Sequence, residues 1–257
     1  MSLFPSGSFP AILLAETRSE VRKSLRMPAY LVPTLVLPAI IYAVFGLMLN
    51  NGRIGGMAAP AYMLASYGTL GIVGASLFGM GVSVAVERGQ GWLTLKAATP
   101  MPPLAYFGGK VLMCMALGIA STALLSIMGV LFGDVRLDAG QWAMLFVTLA
   151  AGSAPFCALG CAIGYLAGPN SAAGITNLLY LPLSVCSGLW VPVEGLPKIM
   201  QHIAPWLPPY HLSRLALHAI GMPIPLNNHA WFLAGYTALF AWLASLAFKR
   251  QSRGSWG

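Results

Sequence analysis

Six long apolar segments dominate this chain of 257 residues and limit what it can fold into. Because a helix needs about 20 mainly apolar residues to cross the hydrocarbon core of a bilayer, each segment predicts a transmembrane helix. None of them carries a charged side chain near its middle. The segments are residues 29–49, 61–86, 104–132, 142–166, 173–191 and 230–248.

The composition excludes an ordinary water-soluble domain. The chain is 58% hydrophobic and only 8% charged, whereas about a quarter of the residues in soluble proteins are charged. The predicted fold class is therefore an all-α integral membrane protein with six transmembrane helices. No inverted repeat is evident, so residues 1–257 are predicted to form a single membrane domain.

The basic residues are divided unevenly between the two sides of the predicted spans. Ten of the 14 Lys and Arg residues fall before the first span, around the loop after the second span, and in the C-terminal tail, against four on the other side. Since Lys and Arg accumulate in cytoplasmic loops, both termini and the loop after the second span are predicted to be cytoplasmic. No basic stripe with interleaved aromatic residues is present, so we expect no nucleic-acid binding.

Two further regions are too polar to span a membrane. Residues 9–26 mix apolar and charged side chains, which predicts an N-terminal helix in the cytoplasmic interface; a loosely ordered tail is the alternative. Residues 192–228 are rich in proline and contain two short helical pieces, residues 199–206 and 210–220. These pieces predict re-entrant half-helices that dip in from the outer face.

The polar loop of residues 87–104 is a basic island between the second and third spans. Its mixture of charged and large apolar side chains favours docking on a soluble partner, because buried aromatic anchors dominate many interfaces. An ordinary solvated loop with a Trp at the membrane interface is the alternative. The candidate docking residues are Glu87, Arg88, Trp92, Leu93, Leu95 and Lys96.

The chain lacks the groups that would power transport or catalysis on its own. None of the six acidic residues lies near the middle of a span, so a proton relay through the membrane is not expected. Gly109-Lys110 lacks the glycine pattern of a phosphate-binding loop, so any ATP must be hydrolysed by another polypeptide. The histidines and serines lack the spacing of zinc or nucleophilic sites. We therefore predict no catalytic residue, no metal site and no cofactor in this chain.

Small residues recur at the four-residue spacing that lets helix backbones approach closely in lipid. The two stripes are Gly160, Gly164 and Gly168, and Gly71, Ala75 and Gly79. They indicate either packing within the chain or a face for self-association.

Several motifs, in order and spacing, resemble the membrane subunit of ABC transporters of the ABC-2 type. They are Arg26-Met-Pro28, Glu87-Arg88 followed by Gly91, Leu95, Thr99-Pro100 and Lys110, the run from Asn177 to Gly188, Trp190-Val-Pro192, Leu196-Pro197 and Pro208-Pro209-Tyr210. The loop departs from the family pattern, because Gly89 and Gly91-Trp92 stand where a second acid and a Gly-Thr step are common.

The resemblance implies a multi-pass permease in the bacterial inner membrane. Two copies would form a homodimer and pair with two copies of an ABC nucleotide-binding ATPase, which would bind ATP and Mg²⁺. Residues 87–104 would contain the coupling helix, seated in a cleft of the ATPase. The implied function is ATP-driven export of a hydrophobic or amphipathic substrate such as a drug, a lipid or a lipid-linked glycan. A self-sufficient carrier or channel and a non-transporting membrane scaffold are the alternatives.

The outer region supplies a second candidate site. Trp190, Trp206 and Tyr210 predict either an aromatic gate over the transport path or a simple interfacial belt. His211 and Arg214 would meet an anionic group of the leaving substrate.

Overall fold

The computed structural model describes residues 8–48, 52–98 and 101–254. The predicted end of the first span at residue 49 and the motif residues Thr99 and Pro100 lie outside these ranges. The described part folds almost entirely into helices, with one short antiparallel hairpin. Its α-helices and strands are α1 (Phe9–Leu25), α2 (Pro28–Leu31), α3 (Leu37–Ile41), β1 (Arg53–Ile54), β2 (Met57–Ala58), α4 (Ala59–Gly89), α5 (Trp92–Ala97), α6 (Pro103–Phe132), α7 (Ala139–Ala151), α8 (Ala154–Leu166), α9 (Ala172–Cys186), α10 (Lys198–Ile203), α11 (Pro208–Ala219) and α12 (Leu226–Gly254).

Four helices in the described ranges are long and apolar enough to cross a membrane. They are Ala59–Gly89, Pro103–Phe132, Ala139–Leu166, in which α7 and α8 follow each other and count as one span, and Asn228–Arg250. Two shorter apolar helices cover Thr34–Met48 and Ala172–Cys186. All six coincide with predicted segments, which confirms a mostly helical membrane architecture. The count of six transmembrane helices stays a prediction, because the last two are shorter than a bilayer core requires.

The first apolar segment is an irregular helix. Two π-helical stretches, Val32–Val36 and Tyr42–Met48, alternate with α2 and α3. Pro38 lies at the start of α3, where its missing amide hydrogen costs least. The Tyr42 hydroxyl donates to the carbonyl of Pro60 at 3.1 Å, which ties this segment to the start of α4.

The second predicted span, α4, forms the centre of the bundle and contacts α6, α8 and α9. A Cβ atom on Gly160 would lie 2.9 Å from Cβ of Met80, and one on Gly164 would lie 2.7 Å from Cβ of Val84. These two glycines therefore let α8 and α4 approach closely, which supports the interpretation of their stripe as packing within the chain. Gly168 has only an ordinary contact, with Ser171.

The predicted helix over residues 173–191 is wrong at its C-terminal end. The observed helix, α9, ends at Cys186, and Gly188 then adopts φ +76°, a left-handed conformation that glycine tolerates and that ends a helix. The loop that follows is held by the Tyr67 hydroxyl, which donates to the carbonyl of Trp190 at 3.0 Å.

The two regions predicted not to span the membrane, residues 9–26 and 192–228, contain helices at the predicted positions. The N-terminal helix α1 packs along α6, so the alternative of a loosely ordered tail is wrong for the described residues. In the outer region α10, a 3-10 turn over Ala204–Trp206, and α11 reproduce the two short helical pieces. Their re-entrant depth and the interfacial position of α1 stay predictions.

Candidate functional site

The loop between the second and third spans contains a short helix held at a defined angle. α4 ends at Gly89, and Gly91 turns the chain with φ +76° before α5 begins. A Cβ atom on Gly89 would lie 2.1 Å from Cγ of Pro169, so the end of α4 packs directly on the loop after α8. α5 therefore lies where a coupling helix between spans 2 and 3 was predicted, and its coupling role stays a prediction.

The side chains of α5 divide between the bundle and the surface. Trp92 is 54% exposed and Leu95 is 67% exposed. Leu93 is half-buried and packs against a cluster of apolar side chains from several helices. Lys96 forms an ion pair with Glu16 of α1, and its ammonium lies 4.5 Å from the ring centroid of Tyr106. The structure thus anchors one side of α5 and leaves two large apolar side chains exposed on it.

Glu87, a predicted docking residue, is buried in a charge cluster. The Lys110 ammonium donates to Oε1 of Glu87 at 2.9 Å and to Oε2 of Glu20 at 2.8 Å. The Tyr106 hydroxyl donates to Oε2 of Glu87 at 2.6 Å. Lys110 is fully buried, and Glu87 is only 5% exposed. Glu87 therefore organises the helices behind α5 and presents little surface to a partner.

The same cluster includes both acidic residues of α1. Glu20 is buried against Lys110, and Glu16 pairs with Lys96. Lys23 also forms an ion pair with Glu87. Three lysines therefore balance three glutamates, which is the condition under which buried charges are tolerated. The cluster joins α1, α4, α5 and α6 through hydrogen bonds that a movement of any one helix would have to break or stretch.

Arg88, another predicted docking residue, anchors the end of α4 to the end of α8. Its guanidinium donates to the carbonyl of Tyr165 and, at 2.6 Å, to that of Ala167. Both acceptors lie where α8 ends and its last carbonyls need partners.

Sequence reasoning left five cluster residues out of the site, namely Glu16, Glu20, Lys23, Tyr106 and Lys110. Their spacing in the sequence could have indicated the cluster. Glu16 and Glu20 are four residues apart on one helical face, and so are Tyr106 and Lys110. Two acids on one face of α1 and one lysine just inside an apolar span predict mutual neutralisation. Lys110 was instead interpreted as a cytoplasmic loop charge and as one residue of the family motif.

A cavity of about 210 Å³ lies beside the charge cluster. Its walls come from α1, the first apolar segment, α4 and α9, and they are mainly apolar apart from the charged edge at Glu20 and Lys23. Phe78 and Tyr30 supply aromatic surface, and Asn177 supplies an amide. This arrangement suits an amphipathic molecule better than a small ion.

The predicted outer-gate residues do not form one cluster. Trp190 is half-buried, and its indole donates to Oγ of Ser184 at 3.0 Å, close to the end of α9. Trp206 is 71% exposed, and its carbonyl accepts a hydrogen bond from Tyr236 of α12 at 2.5 Å. The two tryptophans are thus held by different helices.

Tyr210, His211 and Arg214 do lie together on α11. The Arg214 guanidinium lies 5.0 Å from the Tyr210 ring centroid and 3.3 Å from Oε1 of Glu194. His211 is 2% exposed, stacks on Phe232 at 4.4 Å, and places its Nδ1 2.9 Å from Nδ1 of His229. Burial and the neighbouring His229 lower the pKa of His211 to about 4. His211 is therefore a neutral packing residue at neutral pH, poorly placed to bind an anion.

No metal-binding group of three or more His, Cys, Asp or Glu side chains occurs in the described ranges. The cysteines Cys114, Cys157 and Cys161 are buried and free, and Cys186 is half-buried and free.

Comparison with known proteins identifies the family. Residues 13–220 match the ABC-2 type transporter family. The chain is also 28% identical over 240 residues to "Putative transport permease YvfS" of Bacillus subtilis (strain 168), an alignment that covers 93% of this chain and 98% of that protein. The matched residues include most of α1, the charge cluster, α5 and most of the outer region. The chain therefore belongs to the ABC-2 type transporter family.

Proposed function

We propose that this chain is the permease of an ATP-driven exporter and that α5 is its coupling helix. Two copies of the permease would assemble with two copies of a separate ABC ATPase in a bacterial inner membrane, with both permease termini in the cytoplasm. The observation that carries the proposal is the division of α5, which exposes Trp92 and Leu95 while Leu93 and Lys96 hold it to the bundle. Exposed aromatic and aliphatic anchors on a rigid support are typical of protein docking sites.

The charge cluster supports a mechanical role for this helix. A force applied to α5 by the ATPase would pass through Lys96 to Glu16 and Glu20 of α1, and from Glu20 through Lys110 to α6. Because the lysines and glutamates are buried or half-buried, separating them is costly, and the helices would move as a unit. ATP-driven closure of the ATPase dimer would then tilt α4 and α6 and change access to the path.

The cavity beside the cluster supports a hydrophobic or amphipathic substrate. Its volume of about 210 Å³ is below the range of roughly 300–1,000 Å³ that is usual for small-molecule sites. Two such cavities, facing each other across a two-fold axis, would reach that range. The mainly apolar walls favour a drug, a lipid or the lipid part of a lipid-linked glycan.

The test is co-purification with an ABC ATPase expressed from the same genome. We expect Trp92→Ala combined with Leu95→Ala to reduce recovered ATPase by about 30-fold or more, the loss expected when a central aromatic anchor is removed. The matched control is Trp231→Ala combined with Leu166→Ala, which removes the same two residue types at positions that are more exposed (Trp231 77% and Leu166 70%). Equal recovery from both double variants would overturn the coupling assignment.

Reconstitution separates this proposal from the two alternatives. Liposomes that hold the permease and the ATPase should move substrate only with ATP and Mg²⁺, and liposomes with the permease alone should move none. Substrate flux with the permease alone would establish a self-sufficient carrier or channel. A stable complex without ATP-dependent flux would establish a scaffold.

A further inference from the structure

The N-terminal helix α1 separates its charges by sign. Its two acidic side chains, Glu16 and Glu20, point into the bundle and are neutralised there by Lys96 and Lys110. Arg18, Arg22 and Arg26, spaced four residues apart along one face, are exposed. Within the described ranges none of these three guanidinium groups forms an ion pair. The outer face of α1 is thus cationic without local compensation.

The three arginines border a groove with a small-residue floor. The groove is lined by Ala15, Arg18, Ser19, Arg22, Lys23 and Arg26. Ala15 lies one turn before Arg18, and Ser19 lies between Arg18 and Arg22, so small side chains adjoin the long arginine side chains in this lining. Ser19 adds a hydroxyl that can donate a hydrogen bond. Lys23 is already paired with Glu87, so the arginines carry the uncompensated charge.

An apolar edge lies beside this groove on the same helix. Leu14 is 61% exposed and Leu25 is 54% exposed. At 100° per residue Leu14 and Leu25 fall on nearly the same side of α1, next to Arg18 and Arg22. A soluble phosphate or an acidic protein segment would satisfy the arginines and leave this edge in water. An amphiphile with an anionic head would cover both.

We propose that this groove binds the phosphate of an anionic phospholipid in the leaflet that borders α1. Two or three arginine forks would hold the phosphate oxygens, Ser19 would add a hydrogen bond, and the acyl chains would lie along Leu14 and Leu25. Arg pairs with phosphate through charge-assisted, often bidentate hydrogen bonds. Each Lys or Arg near an anionic membrane surface contributes about 1 kcal/mol of favourable binding free energy. The site depends on α1 alone and would exist whether or not the chain proves to be an exporter.

The test is native mass spectrometry of the purified full-length chain with added phosphatidylglycerol or with phosphatidylcholine of the same acyl chains. We expect retention of phosphatidylglycerol but not of phosphatidylcholine. The variant Arg18→Gln/Arg22→Gln/Arg26→Gln should lose affinity by about fivefold for each arginine removed. The variant Arg53→Gln/Arg136→Gln/Lys198→Gln removes three exposed cations elsewhere and should retain the lipid.

Two further variants keep the proposal falsifiable if the triple Gln variant unfolds. The variant Arg18→Lys/Arg22→Lys/Arg26→Lys keeps the charge and should retain most of the phosphatidylglycerol. The variant Leu14→Ser/Leu25→Ser keeps the arginines, and its affinity for phosphatidylglycerol should fall several-fold. Unchanged retention by the leucine variant, or full displacement of the lipid by glycerol phosphate, would assign a soluble phosphate ligand and overturn the proposal. Loss of ATPase co-purification by the triple Gln variant, with phosphatidylglycerol retained, would overturn it in favour of protein docking.

Discussion

Lys110 shows how a charged residue is accommodated inside an apolar helix when all of its donors find partners. The ammonium is fully buried, and it donates to Glu20, to Glu87 and, at 3.1 Å, to Oγ of Ser83. All three donor positions of the ammonium are therefore used. Removing a carboxylate or the lysine would leave its partner charged and buried, which is the costly case.

The first prediction concerns Lys110→Met. This change keeps most of the side-chain volume and leaves Glu20 and Glu87 with too little positive charge, so we expect a loss of stability on the order of 3 kcal/mol. Thermal unfolding of the detergent-solubilised chain, followed by size-exclusion chromatography, measures the loss. The exposed Lys198→Met is the matched control and should change little.

A double variant checks that charge balance is the cause. Lys110→Met combined with Glu87→Gln removes one charge of each sign, so it should be more stable than Lys110→Met alone. If the double variant is less stable than the parent chain by the sum of the two single effects, the two residues are not coupled and ion pairing does not govern stability here.

The second prediction concerns pH and His211. The pKa of His211 is about 4 in the folded chain, below its ordinary value of 6.5, chiefly because the side chain is buried. Between pH 6.5 and about 4 the unfolded chain takes up a proton that the folded chain does not, so stability falls as pH falls, by at most about 1.4 kcal/mol for each pH unit. Thermal unfolding at pH 7.5, 5.5 and 4.5 measures the slope.

The control for the pH effect is a comparison of two histidine variants. His211→Gln should reduce the dependence of stability on pH, because it removes the contribution of His211. His202→Gln, at an exposed position, should leave that dependence unchanged. A slope of equal size in both variants would assign the pH dependence to other groups.

At the scale of elements, the direction of α5 depends on one backbone conformation. Gly91 has φ +76°, and a Cβ atom added there would have no neighbour within 4 Å. A side chain at this position would thus be opposed by backbone strain and not by packing. Gly174, in α9, likewise has open space around it but lacks the positive φ.

The third prediction compares Gly91→Ala with Gly174→Ala. We expect Gly91→Ala to cost about 1–2 kcal/mol in its left-handed conformation and to turn α5 away from its position. Gly174→Ala should be neutral or slightly stabilising, since Ala favours the helix. Co-purification of the ATPase should fall for the first and not for the second. Equal recovery would mean that the angle of α5 does not matter for docking.

The sequence predicted the elements well and their contacts poorly, for a physical reason. Length and hydropathy are local, so α4, α6 and the two short pieces of the outer region were found near their observed positions. The burial of Glu87 depends on Lys110, 23 residues away, and on Lys23 in another helix. Hydropathy does not encode such partners. The end of α9 at Cys186 was missed because Leu189 and Val191 continue the apolar run after Gly188 has ended the helix.

At the scale of the whole molecule, membership of the ABC-2 family makes this chain a multi-pass membrane transport subunit. Permeases of this family act in general with an ABC ATPase. The segments that the charge pattern predicts to be cytoplasmic are α1, α5 and the C-terminal end of α12, and they lie at one end of the bundle. α5 is paired with α1 through Lys96 and Glu16, and the last turns of α12 reach α8, where the rings of Phe248 and Tyr165 lie 5.5 Å apart.

The fourth prediction tests this sidedness by cysteine labelling. α6 has 30 residues and connects the α5 end of the bundle to the loop that holds Arg136, so at 1.5 Å per residue the two ends lie about 45 Å apart, enough to cross a bilayer. We expect a membrane-impermeant maleimide to label Arg136→Cys in intact spheroplasts and Gln90→Cys only in inside-out vesicles, since both positions are exposed. The parent chain gives the background from its native cysteines. Labelling of Gln90→Cys in spheroplasts would place α5 outside, where no cytoplasmic ATPase could reach it.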